Sequence, residues 1–243
     1  RPGSDPPMNG FTCLLRRELA HYFATPIACV VIAAFWATSG FFFSFNVLFV
    51  SAMDMVTAFH NMSLLFLLMM PLLSMRTFAE ERQLHTLELL LTLPFAEGVL
   101  VLSKYVALLI VLTIMLAGSA VALFPLAWFG APDFGPIIGG YVGVFLLAAA
   151  FGAVGLAVSS WAANQIVAAV LTWAVLLFLW FADYGIALNL PAEVNQWLQH
   201  LSFSAQYLDL IRGVIPIGAV IYFLSVVAFG LLTATQALRA ARA

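Results

Sequence analysis

The sequence predicts an all-α integral membrane protein with six transmembrane helices. Of its 243 residues, 64% are hydrophobic and only 8% are charged. The mean hydropathy is +1.08, and the charge-free runs are far longer than a core helix of a globular protein needs. A bilayer core about 30 Å thick needs about 20 apolar residues per helix, so these runs fit membrane spans. Little chain remains for a soluble domain, and residues 10–243 are expected to form a single transmembrane domain.

The N-terminal part precedes the first span. Residues 1–9 are interpreted as a disordered leader or a cloning remnant. Over residues 10–25, apolar side chains recur at helical spacing with basic side chains opposite them, which predicts an interfacial helix lying on the membrane surface. This helix either anchors the chain to the surface or also lines a docking site for a partner.

Six spans follow from the charge-free runs. They are predicted at about 27–50, 61–75, 105–124, 139–158, 165–181 and 216–238. One run is too long for a single helix, and it breaks at the polar stretch 159–165. The fourth span carries small residues at four-residue spacing, which lets helices approach closely. We therefore expect span four to be a buried packing helix rather than a substrate site.

The positive charges indicate the orientation. If the N-terminus is cytoplasmic, Arg212 is the only lysine or arginine that lies outside. Because loops on the cytoplasmic side carry the positive excess, both termini are expected in the cytoplasm. The formal net charge is −2, and no basic patch indicates nucleic acid as a partner.

An outer helical hairpin is predicted between spans five and six. Two apolar-patterned segments lie there, and each is too short to cross the bilayer. Ser204 is expected to cap the second helix and Gly213 to end it. Irregular backbone at membrane depth must be buried in protein, so this hairpin should pack on neighbouring spans and shape an outer exit. The residues assigned to it are Trp197, Phe203, Arg212 and Gly213.

The scarce charges concentrate between spans two and three. A charged, helix-patterned segment between two membrane spans indicates contact with a partner in water. Thr86 is expected to cap a short helix over 87–91, and Glu80, Glu81 and Arg82 are expected to face the cytosol. Replacing the two glutamates by alanine should then weaken partner docking and leave the stability of the chain unchanged. The alternative is a solvated surface loop without a partner.

The sequence contains no catalytic or nucleotide-binding motif. It lacks Gly-x-x-x-x-Gly-Lys-[Ser/Thr], His-Glu-x-x-His and Cys-x-x-Cys. The spans hold essentially no ionisable residue, which argues against an ion-coupled transporter. A methionine and histidine cluster, Met53, Met55, His60 and Met62, suits a copper-entry site, but methionine is also ordinary apolar filler. The chain is predicted not to be an enzyme and to hold no cofactor or metal, so another subunit must supply energy.

Several motifs point to one family. They are Arg17-Glu18-Leu19, Ala79-Glu80-Glu81-Arg82, Thr86-Leu87-Glu88-Leu89-Leu90-Leu91-Thr92-Leu93-Pro94, Lys104, Leu201-Ser202-Phe203 and Arg212-Gly213-Val214-Ile215. With these motifs the sequence resembles the permease subunits of ABC-2 type ABC transporters. It looks closest to the gliding-motility type, which is similar to the permease of the copper-maturation exporter. One departure is His85, because such proteins usually carry glycine just before the threonine.

The resemblance implies a half-transporter in a bacterial cytoplasmic (inner) membrane. It would pair with a second permease copy or a homologue, and two copies of an ABC ATPase subunit, which bind ATP and Mg²⁺, would dock on its cytoplasmic face. A companion membrane protein with a large extracytoplasmic domain is a further partner. The ATPase-coupling residues, including a coupling helix after span two, would be Arg16, Arg17, Glu18, Arg76, Glu80, Glu81, Arg82, Thr86 and Glu88. A second cytoplasmic contact would consist of Ser159, Ser160, Asn164 and Gln165.

The leading hypothesis is therefore an exporter-type permease subunit driven by a partner's ATP hydrolysis. A non-transporting membrane scaffold that docks a cytosolic protein is the main alternative, and a channel is the third. A neighbouring gene that encodes a Walker-motif ATPase would favour the first of these.

Overall fold

The computed structural model describes residues 10–45, 55–92, 95–122, 134–183 and 192–242, and within these the fold is entirely helical. The predicted leader 1–9 and the predicted ends of span one at Val50 and span three at Phe124 lie outside the described residues. The helices are α1 (Gly10–Ala24), α2 (Pro26–Phe45), α3 (Met55–Ser74), α4 (Ala79–Gln83), α5 (Leu87–Leu91), α6 (Glu97–Ser119), α7 (Phe134–Trp161), α8 (Gln165–Trp180), α9 (Ala192–Leu201), α10 (Phe203–Ile211) and α11 (Ile217–Arg242).

Five helices of the described residues are long and apolar enough to cross a membrane, namely α2, α3, α6, α7 and α11. Helix α8, the predicted fifth span, has 16 residues, and at 1.5 Å per residue it is about 24 Å long. It is therefore shorter than the hydrocarbon core, and the six-span count is not reached by length alone.

Several helices extend beyond the predicted spans. Helix α3 begins at Met55 rather than at residue 61, and α6 begins at Glu97 rather than at residue 105. For α6 the predicted start followed from a charge-free window, but the helix continues through Glu97 and Lys104 because its backbone hydrogen bonds do not depend on side-chain polarity.

Helix α7 is the centre of the bundle, as the sequence predicted for span four. It packs against α3, α6, α8, α10 and α11. Its small residues allow this, since a Cβ added at Gly155 would collide with the Ser74 side chain. Helix α11 approaches equally closely, and a Cβ at Gly230 would lie 2.8 Å from the Ala153 carbonyl oxygen. The packing role of this helix is therefore confirmed.

The hairpin packs on the spans through α10. The Phe203 ring is fully buried and stacks on the Phe223 ring with centroids 6.1 Å apart. The Tyr207 hydroxyl donates a hydrogen bond of 2.8 Å to the Phe59 carbonyl oxygen. Helix α9 lies further out, where Trp197 is 79% exposed. The predicted packing of the hairpin on neighbouring spans is confirmed for α10.

The predicted start of α10 is wrong, because Ser202 caps it instead of Ser204. Ser202 has the extended backbone that an N-cap residue needs, and its hydroxyl oxygen accepts a hydrogen bond from the Ala205 amide at 3.4 Å. Ser204 lies inside the helix. The predicted end is right, since Gly213 has a φ of +85° and follows the exposed Arg212.

Candidate functional site

Most charged side chains of the described residues gather at one end of the bundle. We call this region the charged end, and it consists of α1, residues 75–92 with α4 and α5, the start of α6, residues 159–165 at the junction of α7 and α8, and the last turns of α11. All residues that the sequence assigned to ATPase coupling and to the second cytoplasmic contact lie here. The hairpin lies at the opposite end, because Gly139 of α7 contacts α10 whereas Ser159 of α7 contacts α4.

One ion pair fixes the segment between α3 and α4. The Arg76 guanidinium donates to both carboxylate oxygens of Glu80, each at 2.8 Å, in the bidentate geometry that is strongest for this pair. The His21 Nε2 atom of α1 lies 3.6 Å from Glu80 Oε2. Partial burial would raise the pKa of Glu80, but the hydrogen bonds and charge of Arg76 outweigh burial and hold this pKa below its ordinary value.

A second, deeper cluster joins three helices. The Lys104 ammonium of α6 lies 2.9 Å from Glu18 Oε2 of α1 and 2.8 Å from Glu81 Oε1 of α4. It also lies 5.2 Å from the centroid of the Phe78 ring, within the range of a cation–π contact. Arg17 reaches Glu81 Oε1 at 3.9 Å from the half-exposed surface of α1.

The prediction that the side chains of Glu80 and Glu81 are exposed to the cytosol is therefore wrong, whereas Arg82 is half-buried. The side chains of Glu80 and Glu81 are each only 14% exposed, because α1 packs over them and supplies partners for both. Burial raises the pKa of the Glu81 carboxyl, although Lys104 acts in the opposite direction. Both carboxylates belong to the packed structure of the chain, so alanine at either position is now expected to lower its stability.

Arg82 connects α4 to the end of α7. Its guanidinium donates to the carbonyl oxygens of Ser160 at 2.9 Å, Trp161 at 3.3 Å and Ala162 at 3.5 Å. The last carbonyls of a helix lack partners within the helix, and a cation there also complements the helix dipole. Arg82 thus holds the two predicted contact regions against each other.

Ser159 makes the reciprocal connection. Its hydroxyl oxygen accepts hydrogen bonds from the amides of Phe78 at 3.2 Å and Ala79 at 3.0 Å, and it donates to the Met75 carbonyl oxygen at 3.2 Å. The N-terminus of α4 has no side-chain cap of its own, so Ser159 supplies the acceptor. Ser159 and Ser160 are buried, and they support the turn rather than present a surface to a partner.

The rest of the turn between α7 and α8 is more open. Asn164 begins α8, and its Oδ1 atom accepts a hydrogen bond from the Val167 amide at 2.9 Å. Asn164 and Gln165 are half-buried, whereas Trp161 is 61% exposed. Sequence reasoning missed Trp161, although an aromatic residue beside a polar break in an apolar run was a signal for it.

The link between α4 and α5 turns sharply at His85, whose φ is +55°. The left-handed conformation favours glycine, and histidine is among the side chains that tolerate it best. The predicted capping by Thr86 is wrong, because Thr86 has helical dihedral angles and its hydroxyl donates instead to the Glu81 carbonyl oxygen at 3.2 Å. Leu87 and Leu90 are buried and anchor α5 to the bundle.

A notch opens on the solvent-accessible surface of the charged end. It has a volume of about 570 Å³ and is lined by Arg82, Gln83, His85, Leu87, Glu88, Ala163 and Ala241. Three separate regions meet in it: the α4–α5 segment, the α7–α8 turn and the end of α11. Glu88 in the notch and the neighbouring Thr86 are exposed, and so is Arg16 of α1. The predicted coupling residues therefore divide into a buried framework and an exposed surface.

The comparison with known protein families agrees with this architecture. Residues 43–238 match the family described as ABC-2 family transporter protein, so the match covers most of the chain, including α3 to α10. No curated protein matches the sequence. Proteins of this family are normally non-catalytic membrane subunits that work with an ABC ATPase. With several helices of spanning length, this chain is a multi-pass membrane protein that belongs to the ABC-2 transporter family.

Proposed function

We propose that this protein is the transmembrane permease subunit of an exporter-type ABC transporter and that a separate ATPase subunit docks at the charged end. The notch carries this proposal, because it brings the predicted coupling residues Arg82 and Glu88 together with Ala163, which lies within the polar stretch 159–165, on one open surface. Arg82, which lines the notch, and the buried Ser159 connect α4 directly to the end of α7 by hydrogen bonds. A force applied by a docked subunit would therefore act on one connected unit.

The two ends of α7 support an arrangement across the bilayer. Gly139, near the hairpin, and Ser159, near α4, are 20 residues apart in one helix. At 1.5 Å per residue this separation is about 30 Å, the thickness of the hydrocarbon core. With the charged end in the cytoplasm, both termini are cytoplasmic and the hairpin faces outside, in accord with the distribution of positive charge.

The working unit in this proposal is larger than one chain. Helix α8 crosses as a short fifth span of six, and a second permease copy or a homologue pairs with this subunit in the cytoplasmic membrane of a bacterium. Two ATPase subunits bind ATP and Mg²⁺ and supply the energy that the chain itself lacks. A companion membrane protein with a large extracytoplasmic domain would meet the complex at the hairpin end, where Trp197 is exposed.

A matched pair of double variants tests the docking site. Glu88 and Trp161 are exposed at the charged end, and Glu193 and Trp197 are exposed at the hairpin end. Exposed aromatic and charged residues of an interface often carry much of its binding energy. We expect Glu88→Lys with Trp161→Ala to lower the capture of the ATPase encoded by a neighbouring gene by about tenfold or more, which corresponds to roughly 1.4 kcal/mol.

The control is Glu193→Lys with Trp197→Ala, which should capture the ATPase as the wild type does. Co-purification from detergent-solubilised membranes measures both variants, after size-exclusion chromatography has verified that each is monodisperse. Equal capture by the two double variants would contradict docking at the charged end. A scaffold would capture the ATPase without changing its hydrolysis rate, so stimulation of hydrolysis by the wild-type permease separates a transporter from a scaffold.

A further inference from the structure

The buried cluster around Lys104 ties both candidate docking helices to one membrane span. Lys104 lies in α6, Glu18 lies 86 residues earlier in α1, and Glu81 lies in α4. In the part of the chain that the structure describes, no other cation holds carboxylates of two different helices within 3 Å. One ammonium group therefore joins the interfacial helix, the α4 segment and α6.

Burial makes this connection rigid. Lys104 is 2% exposed and Glu18 is 4% exposed. If one of these buried ions moved away from its partner, the cost of its desolvation would no longer be offset by the attraction between them. The three groups are therefore expected to move together. The ammonium has three donors, and two carboxylates and the face of the Phe78 ring surround it.

Within the described residues, no other ion pair of the charged end joins α1 or α4 to α6. Arg17 and His21 of α1 reach only α4, at 3.9 Å from Glu81 Oε1 and 3.6 Å from Glu80 Oε2. Arg76 and Glu80 are four residues apart in one segment. Arg242 and Glu97 are 2.6 Å apart and join α11 to α6, but the Arg242 side chain is 46% exposed. Exposed pairs contribute little because water competes for both charges.

Lys104 is also well placed to pass a displacement onward. One turn further along α6 lies Leu108, followed by Val111, Leu112 and Met115, and all four are fully buried in the centre of the bundle. A helix is stiff along its axis, so a movement imposed at Lys104 reaches this core directly.

We propose that Lys104 is the positioning residue that couples movement of the ATPase-docking helices α1 and α4 to the membrane span α6. This inference rests on the proposed function. It adds a residue and a route: the docked subunit acts through the carboxylates of Glu18 and Glu81 on a single buried ammonium, and from there on the core of the bundle.

The test compares Lys104→Met, Lys104→Arg and the control Arg212→Met, which removes an exposed cation at the hairpin end, in the complete permease–ATPase complex. For Lys104→Met we expect an unchanged KM for ATP and unchanged ATPase capture, but a kcat of permease-stimulated hydrolysis lowered by about fivefold or more, the lower range of typical coupling between sites. Lys104→Arg should restore most of the stimulation, because it keeps a cation between the two carboxylates. Arg212→Met should behave like the wild type.

A purely structural role for Lys104 would lower the amount of complex without changing the kcat of the complex that remains. If Lys104→Met does not accumulate in the membrane, Glu18→Gln and Glu81→Gln replace it in the test. Each of them removes one ion pair of Lys104 and keeps the ammonium group. Wild-type kcat in both of these variants, or in Lys104→Met itself, would overturn the inference. Failure of the wild-type permease to capture an ATPase would instead overturn the proposed function, and with it this inference.

Discussion

A single backbone angle shows how the α4–α5 link is made. His85 has a φ of +55° at the position where the permeases that this sequence resembles usually have glycine. A residue with a Cβ pays about 1–2 kcal/mol in this conformation, and a polar side chain lowers that cost only in part. The turn is thus kept by its surroundings, namely the buried Leu87 on one side and the ion pairs of α4 on the other.

We expect His85→Val to be less stable than His85→Gly by about 1–2 kcal/mol, because a β-branched side chain fits the left-handed region poorly. Thermal unfolding in detergent should give melting temperatures roughly 2–8 °C apart. The neighbouring Leu84 is also exposed but has a φ of −86°. At Leu84 the glycine variant should therefore not be more stable than the valine variant. If glycine gives the more stable variant at both positions, the explanation is wrong.

At the scale of elements, α4 is a helix of five residues that depends on its neighbours. Its first amides are satisfied by Ser159, and its last turn is tied to the end of α7 by Arg82. The short helix therefore belongs structurally to α7, although 80 residues separate Ala79 from Ser159 in the sequence.

Ser159→Ala should release this attachment. Two buried amides would lose their acceptor, at a cost of about 1–3 kcal/mol, and the amide protons of Phe78 and Ala79 should exchange faster with deuterium. The control is Ser160→Ala, because within the described part of the chain the Ser160 hydroxyl donates to the Ala157 carbonyl oxygen of its own helix and not to α4. Exchange at Phe78 and Ala79 that is equal in the two variants would show that Ser159 does not hold α4.

The sequence predicts helices better than it predicts their contacts. Apolar runs and charge gaps are local signals, so most spans and both hairpin helices could be located. The burial of Glu81 could not be predicted from local signals, because it depends on contacts with α1, a distant part of the chain. Likewise, Ser202 and Ser204 are equally good caps by residue type, and only the backbone at Ser202 distinguishes them.

For the whole molecule, the charged end and the hairpin end lie about one bilayer apart along α7. Labelling of single cysteines tests this orientation after Cys13 and Cys29, which are both exposed, have been replaced by alanine. With the charged end in the cytoplasm, Glu193→Cys should react with a membrane-impermeant maleimide in intact cells. Gln83→Cys should react only after permeabilisation. Both side chains are exposed, so reaction of Gln83→Cys in intact cells would reverse the orientation.

The position of α7 also has a consequence for how the protein is made. Its closest partners are α3, which is synthesised before it, and α11, which is synthesised after it. Until α11 is inserted, the surface of α7 around Ala153 faces lipid instead of Gly230. Helices insert individually before they pack, so the bundle closes only after α11 has left the ribosome. In a nascent chain stalled before that point, the α7 surface that α11 covers would be accessible to membrane proteases. Degradation of incomplete chains would therefore act late in the synthesis of this subunit.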